Sequence, residues 1–303
     1  MHKAQKGWLD QRRTKRLAAD LAQYSAGATL EACSNLAGLM TNLELANEWV
    51  NSFLSMMISA HRAVPLSEPP FAFRASPGFA TVQLLKKGRA TLTLAAYEPL
   101  EAVEEPTSAV FSDRSRRELV LKGAAVGLTH EVLEGGGDAD RGANVRTRRM
   151  NWHIGDTIET RALIGARHIV RVKRSLLLLQ LTREAKQPLP VREVELASGV
   201  VTRMASGDKS ASQAVMALGV LGALRAYSAL DVVHQTALNP DEDPEVRWEA
   251  VRQALGMGAV RGMEILETLV KRTDDALSKP ATALKEQLVT NRFDLQEAWE
   301  KDA

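Results

Sequence analysis

The period of the apolar residues changes twice along this 303-residue chain, and no single motif constrains the fold as strongly. Over about residues 7–62, in LAADLAQYS and LEACSNLAGLMTNLELANEWVNSFLSMMISA, apolar side chains recur every three or four positions, the spacing of one helix face. Pro65, Pro69, Pro70 and Pro77 then interrupt helical structure, because proline lacks the amide proton and clashes with the preceding turn. From about 71 to 197 the pattern reads as β. FATVQLL and TLTLAAYE flank KKGRA as a hairpin, and RRELVLKG, VRTRRMNW and HIVRVKR are further short strands between glycine turns, Gly135–Asp138 among them. From about 206 to 295 the helical period returns. The expected fold is α+β, with an N-terminal helical segment (1–66), a central antiparallel sandwich or barrel (67–200) and a C-terminal helical domain (201–303). No helical pattern lies between the strands and neither GxGxxG nor GxxxxGK[ST] occurs, so a nucleotide-binding α/β domain is not expected.

Composition narrows the partners. Aromatic residues make up only 5%, so the core is expected to rest on Leu, Val and Ala. With 39 basic against 37 acidic residues, the net charge of +2 argues against a bulk polyanion surface, and nucleic acid is not an expected partner. Arg146, Arg148, Arg149, Arg161 and Arg167 nonetheless give the β region a local basic character. Alternation places Arg171 and Lys173 on one strand face, with Val170 and Val172 on the other, as a candidate face for an acidic ligand. The last 63 residues, from Asp241, carry an acidic excess that suits charge complementarity within the chain or between subunits. The single cysteine, Cys33, lies in the apolar stretch LEACSNLAGL and is expected to be a buried, unreactive thiol in a reducing, cytoplasmic setting. No apolar run approaches the roughly 18 residues of a membrane span, and no signal-type segment is read at the N-terminus.

The C-terminal region repeats. Ala214-Val215 aligns with Ala250-Val251 at an offset of 36 residues, and a shorter third copy follows in DDALSKPATALKEQLVTNRF. Asp243-Pro244 is a helix start, with Asp as cap and Pro in the first turn. The segment DPEVRWEAVR resembles the first helix of a HEAT-type repeat. That resemblance, over about 85 residues, implies that Asp243 and Arg247 stabilise the stack between repeats.

The stretch Gly155-Asp156-TIETRALI-Gly165-Ala-Arg-His168 resembles the last conserved segment of cupins, the small jelly-roll barrels. The resemblance implies a barrel-facing His168 able to ligate a metal. The companion ligands are incomplete. Where metal cupins carry His-x-His and a Glu, this chain has His130-Glu131-Val132-Leu133-Glu134. A third donor from Glu131, Glu134 or His153 would complete a site for a divalent Fe, Mn, Ni or Zn ion. Against this stands the reading of all these histidines as structural or surface groups; His153 and Asp156 flank a turn.

Two functions follow. The leading expectation is a cytoplasmic, non-catalytic binding or adaptor protein, with a protein partner on the helical stack, a small ligand in the β barrel and self-association as a homodimer. The alternative is a metal-dependent cupin-type enzyme, an oxygenase or isomerase, using His168 and His130.

Overall fold

The computed structural model describes residues 2–65, 68, 70–101, 104–133 and 143–291. They fall into two compact units, Met1–Met204 and Ala205–Ala303. No helix among the described residues is long and apolar enough to cross a membrane.

The first unit opens with α1 (His2–Leu9), α2 (Arg12–Ala26), α3 (Ser34–Thr41) and α4 (Leu43–Ala63). Strands follow: β1 (Phe73–Ser76), β2 (Phe79–Lys87), β3 (Ala90–Tyr97), β4 (Ser108–Phe111), β5 (Arg114–Lys122) and β6 (Ala125–Val132). After these come β7 (Val145–Trp152), β8 (Thr157–Thr160), β9 (Gly165–Val172), β10 (Leu176–Glu184), β11 (Val191–Glu195) and β12 (Val201–Ala205). They form a six-stranded sheet ordered β1-β2-β3-β10-β5-β8 and two three-stranded sheets, β7-β6-β9 and β12-β11-β4. The hairpin expected around KKGRA is β2–β3, closed at Gly88. The turn expected at Gly135–Asp138 lies outside the described residues.

The middle of the large sheet is buried on both faces, which explains the unbroken apolar run of β10. Leu179 and Leu181, with Leu92, Leu119 and Leu121, join one core with Leu17, Leu21, Leu36 and Trp49 of the helices. Leu176 and Leu178, with Val120 and Ala95, point the other way and pack on Ala125, Trp152 and Val172 of the β7-β6-β9 sheet. A strand covered on both sides has no polar face to alternate with, so its sequence reads as continuous leucine. Each such leucine contributes roughly 1.5–3 kcal/mol on burial.

The N-terminal helices thus share a core with the sheet rather than standing apart as a separate 1–66 segment. Polar ties reinforce the junction. Arg183 on β10 lies 4.2 Å over the Tyr24 ring and donates to the carbonyls of Tyr24 (3.2 Å) and Ala28 (2.9 Å). The Arg89 amide donates to Ser25 Oγ at 2.8 Å. The few aromatics concentrate here: Trp8, Trp49, Phe53 and Phe71 form one cluster, with ring centroids 4.9–6.2 Å apart. Cys33 is fully buried in the same core, and burial raises its thiol pKa.

The second unit contains, among the described residues, α5 (Lys209–Ala223), α6 (Leu230–Leu238), α7 (Pro244–Met257), α8 (Ala259–Lys271) and α9 (Ser278–Asn291). Its own core includes Val233, Ala237, Val246, Val251, Ile265 and Leu266. Asp208 and Asp243 cap α5 and α7 by accepting from the amides of Ser210 (2.9 Å) and Glu245 (2.8 Å), which satisfies otherwise unpaired donors of the first turn. Arg247 is buried. Its guanidinium donates to the Ala237 carbonyl at 3.1 Å and to Asp275 Oδ2 at 2.5 Å, linking α7 to the end of α6 and to the turn before α9. That bond holds the Asp275 carboxyl below its ordinary pKa.

Candidate functional site

The β7-β6-β9 sheet has two chemically different faces, and its register says which residue belongs to which. His130 pairs with Thr147 and Ala166, and Leu128 pairs with Arg149 and His168. Between them Thr129 pairs with Arg148 and Arg167. Directly opposed residues share a face, so His130, His168 and Thr147 lie on one side, and Thr129, Arg148 and Arg167 on the other.

On the first face the two imidazoles close on each other. His130 Nε2 lies 3.0 Å from His168 Nδ1, and His130 Nδ1 lies 2.9 Å from Thr147 Oγ1. One proton bridges the two rings, so one imidazole donates and the other accepts, and the geometry suits the neutral pair. Burial lowers the His130 pKa to about 4, helped by the nearby His168 and opposed by Glu105, which is itself paired with Arg149. His168 is lowered too, by burial and then by Arg167. Val126, Leu128 and Val170 pack beside the pair.

The second face looks toward the large sheet. Arg167 and Glu118 of β5 form an ion pair whose side chains are 7% and 0% exposed. Glu118 Oε1 accepts from Arg167 Nη2 at 2.5 Å and from Gln180 Nε2 at 2.6 Å. Burial alone would lower the Arg167 pKa, but Glu118 raises it overall. The guanidinium sits 5.7 Å from the Trp152 ring centre. That ring lies against Gly127: a β-carbon at 127 would come within 2.2 Å of it, so only glycine leaves room.

Where the edge strands β7 and β8 face each other this interior opens as a cleft of about 470 Å³. Thr129, Met150, Trp152 and Ile158 line it, with Arg146 and Arg148 on the β7 side. Its carboxylates are engaged: Glu131 with Arg161, Glu159 with Arg117, and Asp156 Oδ2 with the His153 amide at 2.8 Å. Beneath, the large sheet carries three buried polar atoms with no partner among the described residues: Arg117 Nε on its far face, and Arg116 Nε and Thr160 Oγ1 on the near one. The latter two belong to directly paired residues of β5 and β8, on the face shared by Glu118 and Ile158.

The structure brings His130 and His168 together and leaves His153 and Glu131 apart from them. His168 does not point into the space between the two sheets; the adjacent Arg167 takes that place. The His153 side chain is 70% exposed in the β7–β8 turn, 3.6 Å from Asp156. Glu131 lies on the opposite face from His130, paired with Arg161, and Glu134 lies outside the described residues. No group of three His, Cys, Asp or Glu suited to a metal occurs among the described residues.

Arg171 and Lys173 are exposed, but the expected grouping of Val170 with Val172 is not what forms. A β-bulge opposite Val126 and Gly127 inserts one residue into β9. Val170 therefore packs with Val126 and Leu128, whereas Val172 packs with Ala125 and Trp152 on the other face. The guanidiniums that line this cleft are instead Arg146, Arg148 and Arg161, of which Arg161 is paired with Glu131. The signal for the first two was available in the alternation 146, 148, 150, 152, which puts two arginines on the side of Trp152.

No family model matches this chain, and no curated protein matches it. Among solved structures, distant similarity to cupin-fold proteins covers about two fifths of the chain. CapF, the capsular polysaccharide assembling protein of Staphylococcus aureus, aligns over 39% of this chain and 32% of its own at 10% identity, TM-score 0.29. The oxalate decarboxylase of Lactobacillus farciminis aligns over 39% and 31% at 13% identity, TM-score 0.28. The 7S globulin of Momordica charantia aligns over 43% and 36% at 12% identity, TM-score 0.28. The alignments thus span about a third of these proteins' own lengths, and likeness at this level assigns no residue a role.

Proposed function

We propose that this chain is a binding protein rather than a catalyst, whose β domain takes a small ligand in the β7–β8 cleft and whose C-terminal helices, a HEAT-like stack, receive a protein partner. The observation that carries the reading is the state of the cleft's acids and bases. Each lining carboxylate is already held by a cation or a backbone amide, and the buried His130 and half-buried His168 are spent on each other. General acid–base chemistry needs a group within reach of the substrate and free to trade a proton. On the helical unit, Met216, Val220 and Leu224 form an exposed apolar stripe along α5, spaced by four residues. The reading includes a cytoplasmic setting, supported by the single buried thiol, and a homodimer through the exposed residues of β12. Cross-linking of the full chain is expected to capture a partner that the variant Met216→Glu/Val220→Glu/Leu224→Glu loses; capture unchanged by that variant overturns the adaptor half.

A second reading, a metal-dependent cupin-type enzyme, is favoured by the 3.0 Å separation of His130 Nε2 and His168 Nδ1. That is close to the spacing of two ligands sharing an ion about 2 Å from each. Two described donors fall short of the three that a catalytic site uses. Elemental analysis of protein purified without chelator decides: about one Fe, Mn, Ni or Zn per chain, lost in His168→Ala, establishes the metal reading, and metal-free protein removes it.

A further inference from the structure

We infer that the β7–β8 cleft is an oxyanion site: its ligand is a small molecule bearing a phosphate or carboxylates, gripped by Arg146 and Arg148. The inference rests on the reading of this cleft as the small-ligand site and adds the ligand's chemical class.

Charge within the cleft is the first argument. Arg161 is cancelled by Glu131, and Glu159 by Arg117 from outside the cleft. What remains is Arg146 and Arg148 against Asp156, an excess of one positive charge. Both arginines are exposed, and neither guanidinium has an ion-pair or hydrogen-bond partner among the described residues. They stand two residues apart on one strand face, so their Cα atoms are separated by about 7 Å and the side chains can converge on one anion.

The interior behind the cleft repeats the imbalance. Glu118 is paired with Arg167, and Arg116 on the same face feels that carboxylate without pairing to it, which leaves a second excess positive charge. Arg116 Nε is buried and unpartnered, and so is Thr160 Oγ1 across the strand pair. Thr160 abuts Gly165, a lining residue, since a β-carbon at 165 would lie 3.2 Å from Thr160 Cγ2. Neither Arg116 nor Thr160 lines the cleft, but both stand behind it on the near face of the large sheet, and leaving such buried groups unpaired is costly. Trp152, Ile158 and Met150 supply the apolar wall for the rest of the molecule. A volume of about 470 Å³ admits a small metabolite-sized ligand rather than a polymer.

Isothermal titration of the full chain with inorganic phosphate, pyrophosphate, succinate and the neutral tetrol erythritol tests this. The expected result is one site for a phosphate or for succinate, no binding of erythritol, and an affinity that falls with salt. The double variant Arg146→Gln/Arg148→Gln is expected to weaken binding at least about tenfold, the loss that charge-assisted hydrogen bonds predict. Arg171→Gln/Lys173→Gln, equally exposed but outside the cleft, is expected to leave it unchanged. Phosphate against succinate tells which oxyanion the site prefers. Binding that survives the Arg146/Arg148 double variant, or falls equally in the Arg171/Lys173 control, overturns the inference. Erythritol bound with Trp152 fluorescence changed, and oxyanions unbound, removes the charge argument but keeps the cleft as a ligand site. If no compound binds and the cleft-filling Thr129→Trp alters nothing, both readings fall.

Discussion

The two faces of the β7-β6-β9 sheet are one residue out of phase and opposite in chemistry. On one, His130 and His168 satisfy each other in an apolar surround. On the other, Arg167 is buried against Glu118, and the face opens at its edge onto two guanidiniums with no partner among the described residues. The imidazole face is internally complete; the guanidinium face is not. Polar groups that are closed on one another stabilise a fold, whereas groups left in excess at an opening are available to something else. Residues that looked catalytic by type are the closed ones, and residues that looked like ordinary surface arginines are the open ones.

The largest effect belongs to the closed part of the guanidinium face. Glu118→Ala leaves Arg167 buried and unpaired, and such a loss costs about 3–5 kcal/mol. Replacing both partners by apolar groups, Glu118→Leu with Arg167→Met, is expected to cost far less, because no charge is stranded. Urea denaturation of the wild type, Glu118→Ala and the double variant measures the difference. A double variant as unstable as Glu118→Ala would show that the pair's packing, not its charge, matters. Gly127→Ala comes next, at about 1–3 kcal/mol, since its methyl group displaces the Trp152 ring that floors the cleft.

Acid distinguishes the imidazole face. The unfolded chain takes up protons on histidine near pH 6.5, while folded His130 resists until about pH 4 and folded His168 is lowered in the same direction. Between those values the unfolded state binds more protons, so stability rises with pH there and is lost as pH falls from about 6.5 toward 4. His168→Asn keeps a hydrogen-bonding side chain beside His130 but removes one titrating group. The slope of unfolding free energy against pH in this window should therefore shrink. An unchanged slope would show that the pair is not the acid-sensitive element.

How legible this was from sequence depended on range. The helices and the strand–turn patterns were visible because period and turn residues are local. Gly88 and Gly155, both with positive φ, mark turns that glycine permits, the β2–β3 hairpin and the β7–β8 connection between sheets. The leucine run of β10 signalled a strand but not why it lacks polar alternation; that needs the helical layer on one face and the second sheet on the other. Face parity was the least legible. A one-residue bulge in β9 splits Val170 from Val172, and a one-residue register step decides whether Arg167 or His168 enters the interior. The cleft needs β7 and β8 on different sheets to face one another across their edges, and no spacing encodes that.

The smallest effect tests whether the third histidine belongs to either face. The His153 ring is 70% exposed and stands 3.6 Å from Asp156, while its backbone amide makes the bond that holds the turn, 2.8 Å to Asp156 Oδ2. Removing the ring leaves that bond in place, so His153→Ala should change stability by no more than about 0.5 kcal/mol. Asp156→Ala removes the acceptor and should cost about 1 kcal/mol, the net worth of such a bond. Because Asp156 is also the one carboxylate lining the cleft that no arginine holds, its loss should strengthen phosphate or succinate binding even as it weakens the turn. A His153→Ala effect as large as that of His130→Ala would place this imidazole in the closed network and break the division between the two faces.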